Sequence, residues 1–584
     1  MKRRAGLVVI IVVITAIITT GFLISQESRE FRLAKNLDIF YSLIREINTF
    51  YVDEIDPDKM IKTGIDNMLK TLDPYTVFYP ESNIDEIEFM TSGRYGGIGS
   101  LVRKNGDYVV ISEVYKGFPA DIAGIRAGDI LKRVDGESLR GLATDKVSEI
   151  LKGNPGTEIM ITIERNGEEI DFEFKRERIA IHPVPYFGML DSKTGYIRFA
   201  NFTQNAIDEV KAALIALKSE NAQQIILDLR SNPGGLLSEA VSIVNLFVGA
   251  GNEVVSTRGK VRRFDETFKT DKSAIDENIP VVALINRGSA SASEIVAGAF
   301  QDLDRGVIIG QRSFGKGLVQ ITRPLSYNTQ LKVTTAKYYI PSGRSIQAID
   351  FSHPNEDGSV GFIPDSLMKE FKTRNGRTVK DGGGIAPDIE MQPEALSQIA
   401  AELLMRNYIF DFATEYYWSN QNITSPEMFN FSDKDYADFR NFLIKREFSY
   451  TTLTEDSLSE LVAAAKKERY YDRHKEIFDA LERELAHSLD ADLELYKDEI
   501  IELIEEEIAK RYFYISGAIA YLIHKDDQVK KAIEILNNQE LYKSILEGSS
   551  ESTVISEKVA EIPLQVNKTA SRSEQIRNFF MLSR

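Results

Sequence analysis

VVALINRGSASASEIVAGAFQDLDRGVIIGQRSFGKGLVQ, residues 281–320, carries a strand, a tight turn and a helix in succession. Residues 281–285 are a short apolar run, which reads as a buried strand, and 293–300 begin a helix of mostly small residues. Ser291 falls at the junction, and Lys316 follows in a strand-like segment bounded by Gly315 and Gly317. The same texture extends upstream: 195–199 and 225–229 read as strands, 207–217 as a helix, and Arg230-Ser231-Asn232-Pro233-Gly234-Gly235 as a tight turn before an apolar helix at 236–247. Strands alternating with helices predict an α/β domain over residues 181–395.

The flanking regions differ. Residues 29–92 open with Phe31, Leu33, Leu37, Phe40, Ile44 and Ile47 at helical spacing, so a packed helical region is expected there. Residues 93–180 turn to short β segments punctuated by glycine: 95–99, 108–111 and 159–163, with a short helix at 119–123 closed by Gly124. GGIG, then PADIAGIRAGDIL, then NPGT at 154–157, in that order, resemble a bacterial PDZ domain. The resemblance implies that a peptide adds as a strand, with its terminal carboxylate on the backbone N–H groups of the glycine loop. That loop is Tyr95, Gly96, Gly97, Ile98 and Gly99, with Ile98 expected to line the pocket for the last apolar side chain. A dinucleotide reading of these glycines lacks the surrounding βαβ unit.

Residues 396–584 carry amphipathic runs, notably 477–511, and are expected to be helical, with Glu505-Glu506-Glu507 on a solvated face and a loose tail after 549. Such a region could serve homo-oligomerisation or an adaptor. At the other end, Lys2-Arg3-Arg4 precede an uncharged apolar run from Ala5 to Ile24, about the length that spans a bilayer as a helix. Thr19-Thr20-Gly21-Phe22 matches an A-x-A cleavage site poorly. The expectation is a single-pass anchor in residues 1–28, with everything after Ser25 in the periplasm or otherwise outside the cytoplasm.

Composition narrows the chemistry. At 584 residues the chain needs several cores, and 43% hydrophobic with 27% charged residues is ordinary for folded domains. A net charge of -17 disfavours nucleic acid as the main ligand. There are no cysteines, which removes thiolate nucleophiles, disulfides and Cys-ligated zinc. The 5 histidines, His182, His353, His474, His487 and His524, sit in no glycine-rich or small-residue motif, and no HExxH spacing exists. No metal site and no cofactor are expected.

What remains is serine with lysine. Ser291 lies between two alanines with a helix N-terminus behind it, where free N–H groups favour an oxyanion. Serine needs a base, and Lys316 can be one if burial keeps its amine neutral. If 314–320 is a strand, two-residue alternation puts Lys316, Leu318 and Gln320 on one face, where Gln320 can hold the amine toward Ser291. Oxyanion donors are expected from Ala292 and from the turn glycines Gly234 or Gly235.

Together LDLRSNPGGLL (227–237), NRGSASASEIVAGAFQD (286–302), RSFGKGLVQ (312–320) and TTAKYYIPSGRSIQ (334–347), behind a PDZ-like region, resemble the C-terminal processing, or tail-specific, serine peptidases. The resemblance covers about residues 33–392. It implies Ser291 as nucleophile, Lys316 as base and Gln320 as its orienting partner. It also implies a core of the crotonase and Clp-protease α/β type, no cofactor, and protein or peptide substrates cleaved near apolar C-terminal tails. The expected enzyme is a membrane-anchored serine endopeptidase acting on envelope proteins, with the PDZ domain recognising the tail or gating the site. The alternative is a PDZ peptide-binding scaffold with an inactive protease-like domain.

Overall fold

The structure is a computed structural model and describes residues 29–351, 360–392, 396–420, 423, 425 and 429–548. The expected anchor in 1–28 and the expected tail from 549 lie outside these residues. Among the described residues no helix is long and apolar enough to cross a membrane.

Six strands form the central sheet, in the order Tyr186–Met189, Thr194–Arg198, Gln224–Asp228, Val281–Ile285, Val307–Gly310 and Ile389–Glu390. The first pair is antiparallel and the others are parallel. Parallel strands buried on both faces read as continuous apolar runs, and the burial explains each residue. Ile225, Leu227, Ala283 and Ile285 face a core shared with the helices Ala206–Ser219, Leu237–Val244 and Ala292–Asp302. Their neighbours Ile226, Val282, Leu284 and Ile309 face Val529, Ala532, Ile535 and Tyr542, from the helices Asp527–Asn537 and Gln539–Glu547. The last helices of the described chain therefore complete the core of its middle. Tyr542 Oη lies 3.1 Å from Val281 O, on the central strand itself.

A second, antiparallel sheet joins Leu318–Pro324, Gln330–Tyr339, Glu253–Gly259 and Glu266–Lys269 in that order. The PDZ region is a separate sheet, Ser100–Asn105, Tyr108–Val114, Ile130–Val134, Glu158–Arg165 and Glu168–Lys175, closed by the helices Pro119–Ala123 and Thr144–Leu151. The short helix ends at Gly124 with φ +92, a left-handed cap that glycine adopts without strain. The chain thus combines an α/β core with a separate β-rich domain and a helical C-terminal domain.

The helices Gln398–Met405, Tyr408–Ser419 and Asp433–Lys445 pack around Phe412, Phe439 and Leu443, with Ile500 and Ile504 from the helix Lys497–Leu522. That long helix then passes the PDZ sheet. At Tyr514 its backbone leaves helical geometry, with φ 56 and ψ -172, and the Tyr514 hydroxyl donates to Asp121 Oδ1 at 2.8 Å. Arg103 lies 4.5 Å over the Phe410 ring and Arg165 5.0 Å over Trp418, so cation–π contacts tie the same two domains. Glu505-Glu506-Glu507 is not the solvated face expected. Glu505 is buried on Lys525 and Tyr521, Glu507 pairs with Arg511 and Glu506 with Lys510. Ion pairing makes buried carboxylates tolerable where composition alone suggests solvent.

By its contacts the chain divides into two units, 1–78 and 79–584. In the first, Arg29–Phe50 and Pro57–Lys70 are helical as expected, the latter N-capped by Asp56. The helix Arg29–Phe50 buries none of its residues, so the apolar face read from Phe31, Leu33 and Leu37 is exposed.

Candidate active site

The site forms at the carboxyl ends of two adjacent parallel strands, where loops of open α/β sheets gather ligands. Strand Gln224–Asp228 runs into the turn 229–235, and strand Val281–Ile285 into the turn 286–291. Ser291 is the N-cap of the helix Ala292–Asp302, with φ 56 and ψ -113. A backbone state of this kind costs a residue with a Cβ about 1–3 kcal/mol and is held only by its surroundings.

Those surroundings are specific. The three serines of SASAS divide their duties: Ser289 and Ser293 are fully buried, whereas Ser291 is partly exposed. Ser289 Oγ donates to Leu229 O at 2.7 Å and accepts from the Asn286 N–H, while Ser293 Oγ donates to Asn232 O at 2.9 Å. The flanking serines thus stitch the Ser291 turn to the 229–235 turn. Ala290 N–H adds a bond to Asn232 O, and the Tyr338 hydroxyl donates to Ser291 O at 3.1 Å.

Gly234 lies directly against this turn. A Cβ built on it would come 2.6 Å from Ala290 O, 2.8 Å from Ala292 N and 2.9 Å from Ser291 Cβ, and its φ is +94. Gly235, with φ +150, is pressed against Phe202 O in the same way. Buried Asn232 sets the turn, with Nδ2 on Phe199 O and Oδ1 accepting from the Gly234 N–H at 2.9 Å. Beneath it Asp228 binds Arg230 and Arg198 and accepts from Tyr196 Oη. Burial pushes that carboxyl up, but the two guanidiniums outweigh it and hold it well below the usual carboxylate range. Arg230 also reaches Asp526 at 2.6 Å, so the C-terminal helices brace the turn.

Lys316 is half-buried and lies before the strand, not in it, because Leu318–Pro324 begins two residues later. A register shift between Val319 and Gln320 further breaks the expected alternation. Gly315, at φ +85, lets the loop pass Ala348 and Gly384 where any Cβ would collide. Gln320 Nε2 donates to Thr334 Oγ1 at 3.2 Å.

One group was missed by reading the motif as nucleophile plus base. Glu294 is fully buried, and its Oε2 accepts from Ser291 N–H at 2.8 Å and Lys316 N–H at 2.9 Å. Its Oε1 accepts from Gly315 N–H at 2.7 Å and Ser313 Oγ at 2.5 Å. Burial pushes its carboxyl up to about 6 against the pull of these four donors. The signal was present in sequence as Ser291-x-x-Glu294, a capping-box spacing.

In the PDZ domain the glycine loop is tightly packed. Arg94–Gly97 pairs with Glu177–Ala180, and Gly96 leaves no room for a Cβ, since Gly153 O would lie 2.1 Å away. Tyr95 meets Phe89 edge to face at 5.5 Å, and burial pushes its hydroxyl up to about 12. Gly97 is buried, Gly99 turns at φ +79 against Phe118, and Ile98 is buried in the domain core beside Val109 and Ile111. Among the described residues no cluster of potential metal ligands occurs.

Known proteins resemble this arrangement. Residues 193–356 match "Peptidase family S41", 110–165 match "PDZ domain", and 399–536 match "Probable PDZ-protease, C-terminal helical domain". A "Carboxy-terminal-processing protease" of Bartonella bacilliformis is 35% identical over 342 residues, 58% of this chain and 76% of that protein. A "Probable CtpA-like serine protease" of Staphylococcus aureus is 34% identical over 389 residues, 64% of this chain and 77% of its own length. Among solved structures, the photosystem II D1 C-terminal processing protease aligns over 61% of this chain and 88% of its own at 27% identity and a TM-score of 0.34.

Proposed function

This chain belongs to the carboxy-terminal-processing serine proteases of peptidase family S41, and on that premise we propose that it is a Ser–Lys endopeptidase anchored in the membrane and cutting envelope proteins near apolar C-terminal tails. The observation that carries the reading is the division of labour in SASAS. Two serines are buried in structural bonds, and Ser291 alone is left partly exposed on a strained turn with a helix N-terminus behind it.

In this reading Ser291 Oγ attacks the scissile carbonyl carbon while Lys316 Nζ, as the neutral amine, takes the hydroxyl proton. The carbonyl electron pair moves to oxygen, and that oxyanion meets the Ala292 N–H at the first turn of its helix together with the N–H of Gly235, that of Gly234 being held by Asn232 Oδ1. Lys316 then returns the proton to the leaving amine, the C–N bond breaks, and an acyl-serine remains. A water molecule then attacks the acyl carbon while Lys316 takes one of its protons, and Lys316 returns that proton to Ser291 Oγ as the acyl–oxygen bond breaks, which releases the acyl group as a carboxylic acid and restores the serine hydroxyl and the neutral amine. Gln320 keeps the amine in place: its Nε2 is used by Thr334, which leaves Oε1, an acceptor, for the lysine. The PDZ glycine loop, residues 95–99, takes the substrate tail.

The basic flank and apolar run of residues 2–24 support the anchor. The test of the chemistry is hydrolysis of an unfolded protein ending in apolar residues, with and without a chelator. Ser291→Ala and Lys316→Ala should each abolish cleavage while folding normally, and the chelator should have no effect. Full activity in either variant would sink the mechanism.

A further inference from the structure

The carboxyl group of Glu294 is bonded to both halves of the site, and its chemistry demands one protonation state. A carboxylate offers about four acceptor positions and no donor. Here four donors occupy it: the N–H groups of Ser291, Gly315 and Lys316, and the Ser313 hydroxyl. Adding a proton, or replacing the carboxylate by an amide, points a donor at one of them. Removing it leaves buried donors unpaired.

The arrangement also measures distance. Ser291 N at 2.8 Å and Lys316 N at 2.9 Å share the single atom Oε2, so the two backbones are tied through one oxygen. A parallel bond, Phe314 N–H on Ser289 O, joins the same two turns. Resting on the Ser291–Lys316 reading, we propose that ionised Glu294 is a positioning residue that sets the nucleophile–base separation, and that its protonation disassembles the site.

The neighbouring titratable groups leave this role to it. On the facing loop Arg312 turns its guanidinium to Gly383 O, and Lys316 is the base itself. From the second sheet Tyr338 places its hydroxyl on Ser291 O. At the far end of the same helix Asp302 is paired with Arg344. Burial already holds the Glu294 carboxyl near the onset of protonation in mild acid, which gives the device a working range.

The experiment follows kcat and KM for an unfolded protein with an apolar C-terminus from about pH 5 to 8. The wild type should lose kcat on the acid side while KM stays level, the protonation of Glu294, whose carboxyl burial pushes up to about 6, adding to that of the Lys316 amine. Ser313→Ala removes one donor to Glu294, together with the acceptor of the Ile385 N–H, so the acid limb should move to higher pH. Glu294→Gln should lower kcat about tenfold or more at neutral pH and keep only the acid loss that protonation of Lys316 produces, so that adding Ser313→Ala no longer shifts the limb. Thermal unfolding is recorded for each. If Glu294→Gln does not fold, the Ser313→Ala shift still decides. Inactive Ser291→Ala and Lys316→Ala with an acid limb that Ser313→Ala does not move overturns the Glu294 role and leaves the dyad. Activity in Ser291→Ala or Lys316→Ala overturns both.

Discussion

Gly234→Ala tests whether the 229–235 turn must touch the nucleophile. The added Cβ meets Ala290 O at 2.6 Å and Ala292 N at 2.8 Å. Both are backbone atoms, one end of a helix and one of a turn, and neither can swing aside. To regain an ordinary contact at 3.4 Å the turn has to retreat by roughly 0.8 Å. A shift of about 1 Å at a reacting centre costs on the order of a hundredfold in rate, or about 2.7 kcal/mol in the barrier. The left-handed φ of +94 adds about 1–2 kcal/mol of destabilisation for a residue with a Cβ. Gly251→Ala separates the two effects: its φ is +88 and nothing lies within 4 Å of the built Cβ. The assay is steady-state hydrolysis of an unfolded protein substrate, with Tm for both variants. Gly251→Ala should lower Tm and keep kcat, whereas Gly234→Ala should lower Tm further and lose kcat about a hundredfold. If Gly234→Ala kept wild-type kcat, the turn would play no part in the chemistry and the oxyanion assignment would fall.

Two further outcomes follow from the same bonds. Ser289→Ala takes the acceptor from the Asn286 N–H and leaves the Leu229 carbonyl to the Asn232 N–H alone, which should cost about 1–3 kcal/mol of stability, read by denaturant unfolding. A variant as stable as the wild type would show that Ser289 is not the stitch described. Asp526→Asn keeps shape but removes the charge facing Arg230, whose pairing with Asp228 persists. Because both side chains are partly exposed, the stability loss should stay near 1 kcal/mol, while kcat falls severalfold through the turn that Arg230 begins. An unchanged kcat would uncouple the C-terminal helices from the site.

Much of this was legible in sequence because buried parallel strands and turn chemistry are local. Residues 281–285 are apolar on both faces, 225–229 are so except for Asp228, and both lie between recognisable turns, so their strands and the α/β class could be read directly. Ser291 was legible for the same reason, being fixed by the strand before it and the helix after it. Lys316 was harder. Its position depends on where the strand Leu318–Pro324 begins and on a bulge at Val319-Gln320, both set by pairing with Gln330–Tyr339, and period-two reasoning cannot see a bulge. Glu294 was hidden because a capping box looks identical whether its carboxyl caps one helix or also gathers a loop from beyond the next strand. The acidic run at 505–507 misled for a related reason: Lys525 and Arg511 neutralise it only after the long helix has found its place.

Synthesis order gives the helices Asp527–Asn537 and Gln539–Glu547 another meaning. The strands they cover, ending with Val307–Gly310, emerge from the ribosome well over a hundred residues earlier. At about 5–20 residues per second, the apolar row Ile226, Val282, Leu284 and Ile309 waits for roughly ten seconds or more without its lid. Arg230 waits as long for Asp526. Because these late helices supply the cover for one sheet face and one brace of the 229–235 turn, a copy cut short before Asp526 should be a poor protease.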